Sequence, residues 1–481
     1  MLIWFVVLYI TVSVGIGLYA SRRVKNTADY VVAGHHLPLP FIIATVFATW
    51  FGSETVLGIP AKFMAEGLQG VIADPFGSSM CLILVGLFFA RPLYRMKLLT
   101  IGDYYRTRYG RSIELAASLC IVASYLGWVS AQITALGLVF SVITHGAIEP
   151  WQGMAIGTAI VLLYTLAGGM FAVAFTDLFQ MCVILLGMIY IAFVVSGIAG
   201  GAGVVIEHAA AAGKFEFLPA FEPRAMIAFL AAWITMGFGS IPQQDVFQRV
   251  SAAKDEQTAG RGSVIGGCVY FVFAFIPIYL AYSAILIDPA LVNNHINSDS
   301  QYILPNLILQ HTPLAAQAIF FGALLAAIMS CSSATLLAPS VTFAENVLRP
   351  FLPKLADWQF LRLLRWIVLL FAICVFSFAL GSGATIYGMV ENAYKITLVA
   401  AFAPLAFGLY WKRATTQGAA CAMALGLGVW ISCELMIGYG VLPPDPLLPA
   451  QFAGWLASII GMLAGSLLPQ WYCAPQHPST A

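Results

Sequence analysis

Two stretches, FGSETVLGIP (51–60) and GFGSIPQQD (237–245), decide how this chain folds. Each puts two glycines and a proline inside an otherwise apolar run, and both residue types open a helix: glycine by its backbone freedom, proline by its missing N–H. In a bilayer, freed backbone groups are tolerated only where protein buries them or where they line a cavity or hold an ion. The setting is a bilayer: across 481 residues the chain is 61% hydrophobic and 9% charged, with mean hydropathy +0.90. That is too little polar surface to coat a water-soluble core of this size. A net charge of +1 carries no signal for nucleic acid.

Apolar runs of about 20 residues are long enough to cross a bilayer as helices. Thirteen such runs begin near residues 2, 39, 70, 112, 152, 174, 225, 262, 313, 360, 386, 417 and 450. The all-α chain therefore reads as one membrane unit over 1–481. The two interrupted runs are the second and the seventh. Each opens a block of five spans, 39–199 and 225–410, and an odd number of spans inverts one block relative to the other. Paired interrupted helices in inverted repeats place a binding site at mid-membrane.

The basic residues orient the chain. Threaded from an outside N-terminus, residues 22–25, 91–111, 249–261, 349–365 and 412–413 fall on one side and hold eighteen of the twenty-two lysines and arginines. Positive residues stay inside, so the expected arrangement is a multi-pass cell (inner) membrane protein with its N-terminus outside and its C-terminus in the cytoplasm. Arg22, Arg23 and Lys25 follow the first run where a cleaved leader would have small residues, so that run is expected to stay as a helix. Nine scattered cysteines form no CxxC pair, which argues against a disulfide framework or zinc site.

Three further stretches carry a family resemblance: IGDYYRTRYG (101–110), YTLAGGMFAVAFTDLFQ (164–180) and AAIMSCSSATLLAPSVTFAEN (326–346). Together they resemble the sodium/solute symporters over nearly the full chain. ATWFG (48–52), GLFFARP (86–92) and IPQQDVFQRV (241–250) look most similar to the choline-type branch. The resemblance implies a LeuT-like fold with a five-plus-five inverted-repeat core and alternating access. It also implies sodium-driven uptake of a small polar organic solute.

The resemblance further implies a sodium ion between the second and ninth spans, transported and not held as a prosthetic group. Its ligands would be the carbonyls of Ala48, Phe51 and Ala327, the side chain of Ser330, and Cys331 where the family usually has Ser or Thr. Independently, Ala327, Ser330 and Cys331 are spaced to share one helix face. Sodium, a hard cation, prefers oxygen, so the thiol is a poor ligand.

Trp50 and Trp128 match aromatic positions of the choline branch's cage, where ring faces bind a quaternary ammonium. Ser78 and Gln243 stand where that branch has more rings, so the cage is incomplete. Gln243 and Gln244 offer amide groups to a polar solute instead. Ionisable residues inside spans are costly and usually functional, which singles out Glu54, Asp74, Asp245 and the Glu391/Lys395 pair, two residues spaced to neutralise each other. Asp177 and Glu345 are expected near the cytoplasmic ends, in loop contacts or gating. The expected solute contacts are Trp50, Glu54, Trp128, Gln243 and Gln244.

No HExxH, GxSxG or phosphate-binding glycine loop supports an enzyme. A proton-coupled or uncoupled carrier is the alternative that Cys331 and Glu54 suggest. A solute-sensing membrane module is another, and the lack of a kinase-like or other soluble segment weighs against it. The expected partners are the solute, sodium and the lipid bilayer. From the charge asymmetry, a reporter fused after residue 481 should be active on the cytoplasmic side and a tag inserted in 200–224 should be labelled from outside. A C-terminus found outside would overturn the threading.

Overall fold

A computed structural model describes residues 1–296, 299–352 and 355–471. Lys354, Cys473 and His477 lie outside the described residues. Those described form helices throughout, with a single isolated bridge between Leu37 and Ala253. Helices are how a chain in lipid pairs every backbone N–H and C=O within its own segment.

Among the described residues, ten helices are long and apolar enough to cross a membrane, or eleven when Pro223–Gly239 and Gln244–Ala252 count as one bent span. Thirteen were expected, and that count is not reached. The difference lies in two continuous tracts. Glu54–Arg95 contains an extended residue, Asp74 (φ −142°, ψ 122°). Pro150–Ile198 contains Gly169 at φ 48°, ψ −135°. The reading from apolar runs divides both tracts.

Helix α1 is Leu2–Ser21, and α2 is Leu39–Trp50. At Phe51 the backbone leaves helical geometry (φ −83°, ψ 74°), then a widened turn over Glu54–Gly58 leads into α3, Ile59–Glu66. Helix α4 is Ile101–Tyr109, α5 is Arg111–Ile143 and α6 is Pro150–Ile198. The second interruption separates α7, Pro223–Gly239, from α8, Gln244–Ala252, with a 47° bend. Pro242 lies in this gap, and Gln243 is extended (φ −75°, ψ 144°). Helix α9 is Glu256–Phe273, α10 is Leu314–Thr342 and α11 is Ile386–Thr397. Both interruptions read from the sequence are present.

Helix α10 is the axis of the core, buried without a gap from Phe320 to Thr342. Helices α5 and α6 pack along it, while α1 lies outside α6 with much of its surface exposed. One end of the molecule is closed by α4, which opens with a reciprocal cap between Thr100 and Asp103. Its three tyrosines donate to backbone carbonyls: Tyr104 to Leu405 (3.1 Å), Tyr105 to Ala401 (2.9 Å) and Tyr109 to Pro404 (2.7 Å). Asn346, just beyond α10, donates to Asp103 and Glu114 and accepts from Thr100. Glu345 pairs at 2.6 Å with Arg349, four residues on along the helical stretch that follows α10. Glu391 and Lys395 do not neutralise each other: among the described residues no ion pair joins them.

Gly169 turns α6 against the segment holding Tyr30, in a backbone conformation that L-residues avoid. A methyl group there would also meet the Tyr30 carbonyl oxygen. Gly169→Ala should therefore destabilise the fold by about 2–4 kcal/mol. Thermal or denaturant unfolding in detergent measures it, and an unchanged midpoint would refute this role for the glycine.

Candidate functional site

At the first interruption the Gly52 N–H turns back to the Trp50 carbonyl (3.0 Å), so the Ala48 carbonyl loses its helical donor. The next N–H, of Ser53, goes to Gln132 Oε1 on α5 (2.9 Å), which releases Thr49 in the same way. Gly52 also permits a close approach. A Cβ there would lie 2.9 Å from Cys331 Sγ and 2.7 Å from Glu54 Oε2, so the break sits directly against the middle of α10.

Glu54 is buried just past the break. Trp128 Nε1 donates to its Oε1 (3.1 Å) and Gln132 Nε2 to its Oε2 (2.7 Å). Three rings meet beside it. Trp50 lies edge-on to Trp128 at 5.7 Å, stacks on Tyr394 of α11 at 5.9 Å, and Tyr394 tilts against Trp128 at 5.4 Å. Tyr125 stacks on the other side of Trp128, donates its hydroxyl to Asp245 Oδ1, and accepts from the Asp245 backbone N–H. A second acid, Asp74, accepts from Tyr270 at 2.5 Å, and Thr55 Oγ1 lies 3.1 Å from the same phenol. Trp50 and Glu54 are each 2% exposed and Trp128 1%, so the centre is shut off from solvent.

The structure thus brings Trp50, Glu54 and Trp128 together. Gln243 is adjacent: its amide N donates to Ser124 (3.0 Å), one turn before Trp128, and to Thr397 (3.3 Å). Gln244 is directed elsewhere. Its side-chain carbonyl accepts from the Ile101 N–H (2.8 Å), tying the second interruption to the start of α4. Gln243 is the extended residue before α8 and Gln244 its first helical one, and the two amides have different partners.

Asp177 was expected near a cytoplasmic end, but it is fully buried between α2 and α10. Thr45 donates to its Oδ2 (2.5 Å) and Ser330 to its Oδ1 (2.6 Å). Arg249, 2% exposed, reaches Thr49 Oγ1 through Nε (3.1 Å) and a terminal nitrogen (2.8 Å), and the Asp245 carbonyl at 3.1 Å. The Ser330 hydroxyl spends its one hydrogen on Asp177, which leaves its lone pairs free for a cation. The released Ala48 carbonyl belongs to the α2 break, and Ser330 and Cys331 to the middle of α10 that packs against it; Phe51 and Ala327 are buried on the same two segments. The oxygens suit sodium and the sulfur does not.

Gln132, Tyr394, Tyr270 and Arg249 carry this centre and were not singled out in the sequence. Gln132 is spaced one turn from Trp128 on the same face of α5, a signal that Trp128 alone could have drawn out. The others join through contacts between distant segments that no local pattern encodes.

An all-helical membrane chain with two interrupted spans meeting at a closed, acidic, ring-lined centre has the anatomy of an ion-coupled carrier. Residues 30–426 match the model of the sodium:solute symporter family, and the chain belongs to that family. The human high-affinity choline transporter 1 (Homo sapiens) is 27% identical over 451 residues, covering 89% of this chain and 75% of its own. The osmoregulated proline transporter OpuE of Bacillus subtilis is 26% identical over 92% of both chains. Among solved structures, a substrate-bound, outward-open sodium-coupled sialic acid symporter has a TM-score of 0.79 at 22% identity, over 97% of this chain and 98% of that one. MhsT in complex with L-phenylalanine has a TM-score of 0.57 at 15% identity, over 89% and 98%. The fold is the LeuT-like one, the protein is a transporter and not an enzyme, and sodium is its transported ion.

Gln132→Leu would strip a partner from both the Ser53 N–H and the Glu54 carboxylate. The variant should lose about 2–4 kcal/mol of stability, read as a lower unfolding midpoint of purified protein in detergent. A midpoint equal to that of the unmodified chain would mean that neither bond supports the interruption.

Proposed function

We propose that this protein is a sodium-coupled symporter that carries a small polar organic solute into the cell by alternating access. The observation that carries the reading is the junction at Gly52. There a backbone opening in α2, the thiol of Cys331 on α10, and the ring-lined carboxylate of Glu54 meet at one buried point, with Ser330 the residue before Cys331 on the same helix. An ion that tightens this junction changes the shape of the solute contacts beside it, and this is the physical form that coupling takes.

In this reading Trp50, Glu54, Trp128 and Gln243 contact the solute, and Tyr394 and Gln132 complete the wall. Gln244 helps close the far end through Ile101. The cation is held by the carbonyls of Ala48, Phe51 and Ala327 with Ser330, and by Cys331 as the weak fifth ligand. Residues 39–199 and 225–410 act as the two inverted repeats that rock against each other. The chain sits in the cell membrane with its C-terminus in the cytoplasm, which the distribution of basic residues supports.

The ligand set is tested with sodium alone, by following the unfolding midpoint against NaCl with KCl as the ionic-strength control at fixed pH. Sodium should stabilise the unmodified chain weakly. Cys331→Ser should lower the half-saturating sodium by roughly three- to tenfold, because an oxygen replaces sulfur on a hard cation. Ser330→Ala should remove the sodium-specific effect. A midpoint that ignores sodium but follows pH, with the pH effect lost only in Glu54→Gln, would replace this reading with a proton-coupled carrier.

A further inference from the structure

The ring-lined centre has a charge imbalance that points to its cargo. Glu54 takes its hydrogen bonds from an indole N–H and an amide, both neutral. Asp74 takes its bond from a phenol. Asp245 takes one from Tyr125, and its Oδ2 is buried with no partner. Among the described residues no Lys, Arg or His forms an ion pair with any of these three carboxylates. The one buried guanidinium nearby, Arg249, bonds Thr49 and the Asp245 backbone carbonyl and supplies a single positive charge on the Asp245 and Asp177 side of the centre, against the four buried carboxylates of Glu54, Asp74, Asp177 and Asp245. A sodium ion between α2 and α10 would balance one further charge, which with Arg249 still leaves carboxylates in excess. Buried carboxylates without a compensating cation cost several kcal/mol each, so the state that forms with cargo bound calls for more positive charge.

The surroundings say what kind. Trp50, Trp128 and Tyr394 offer ring faces, which attract a cation and contribute little to a neutral polyol or an anion. The acceptors are also in excess: the Tyr394 hydroxyl, like Asp245 Oδ2, is buried and unpartnered. A phenol on a ring of the triad and a bare carboxylate oxygen next to it can both accept N–H donors. A quaternary ammonium has none to give.

We infer that the solute is an organic cation that retains N–H donors, a protonated primary or secondary amine whose ammonium group lies against Glu54 among Trp50, Trp128 and Tyr394. This rests on the symport reading of the same centre. It narrows that reading to a charge and a hydrogen-bonding class: the rings supply attraction without direction, and the carboxylate and phenol supply direction. Replacement of further rings by Ser78 and Gln243 is consistent with a cargo held partly by hydrogen bonds.

The test uses the full purified chain in detergent, with NaCl or KCl, and probes matched in shape: ethanolamine, N,N-dimethylethanolamine, choline, and 3,3-dimethylbutanol as the neutral form of choline, with putrescine, glucose and lactate as further classes. Apparent affinities come from the shift in unfolding midpoint. Sodium-dependent binding should be tightest for an N–H-bearing amine and weaker for choline. Glu54→Gln should weaken the amine by at least about thirtyfold, as expected when one partner of a buried charge pair is neutralised. The variant's response to sodium alone reports that it is folded; if it does not fold, the ethanolamine-to-choline ratio in the unmodified chain decides. Tightest sodium-dependent binding by choline, the neutral alcohol, glucose or lactate would overturn the amine assignment and leave symport standing. An amine affinity within about twofold in Glu54→Gln would overturn it as well. Loss of any sodium effect on every probe would take down the symport reading itself, and the amine assignment with it.

Discussion

A helix interrupted in the middle of a bilayer must find new partners for the backbone groups it gives up, and Gln132 is the residue that supplies them here. Its amide carbonyl takes the Ser53 N–H while its amide nitrogen holds Glu54, so one side chain both repairs the break and aims the carboxylate. Without that pair of hydrogen bonds, the break after Trp50 keeps the Gly52 N–H turned back to the Trp50 carbonyl but loses its tie to α5. The Ser53 N–H would be free to return to the Thr49 carbonyl, and Glu54 would lose the donor on its Oε2 while keeping the one from Trp128. The pairing of the broken backbone and the placing of the carboxylate are therefore two outcomes of one side chain.

Arg249 extends the same logic below the centre. Its guanidinium bridges Thr49, on the last turn of α2, to the Asp245 carbonyl at the start of α8. The inner halves of the two interrupted spans are thus fastened to each other, while Gln244 fastens α8 to α4. Movement at one interruption is handed to the other through a few charge-assisted bonds, which in a dry interior are stronger than in water.

Much of this was legible in the sequence. Glycine and proline inside apolar runs marked both interruptions, Glu54 drew attention by lying two residues past the first, and Trp50 by its match to an aromatic position of the choline branch. Asp177 was misjudged because the apolar pattern starts a new span near 174, whereas the chain turns at Gly169. The carboxylate consequently lies two turns inside the second limb and not at its mouth. Gln243 and Gln244 were singled out together for the amide groups they offer a polar solute, but the chain enters α8 between them, and the Gln244 carbonyl takes the Ile101 N–H while Gln243 turns to Ser124 and Thr397. Tyr394 and Tyr270 had no local signal: one meets Trp50 from more than three hundred residues away, and the other meets Asp74 across 196. Aromatic residues in membrane helices are common, and only the packing of distant spans picks these two out.

The tyrosines of α4 carry a consequence for how the protein is made. Their hydroxyls find carbonyls 295 to 301 residues further along the chain. At about 5–20 residues per second, a ribosome needs about 15–60 s to deliver those partners after α4 has emerged. Throughout that interval three phenols that end up buried have nothing but water, lipid headgroups or a helper protein to bond to. The closure of this end of the molecule is accordingly completed late in biogenesis: a chain truncated before residue 401 can hold the start of α4 through Gln244 and Asn346 but leaves its three phenols without their carbonyls.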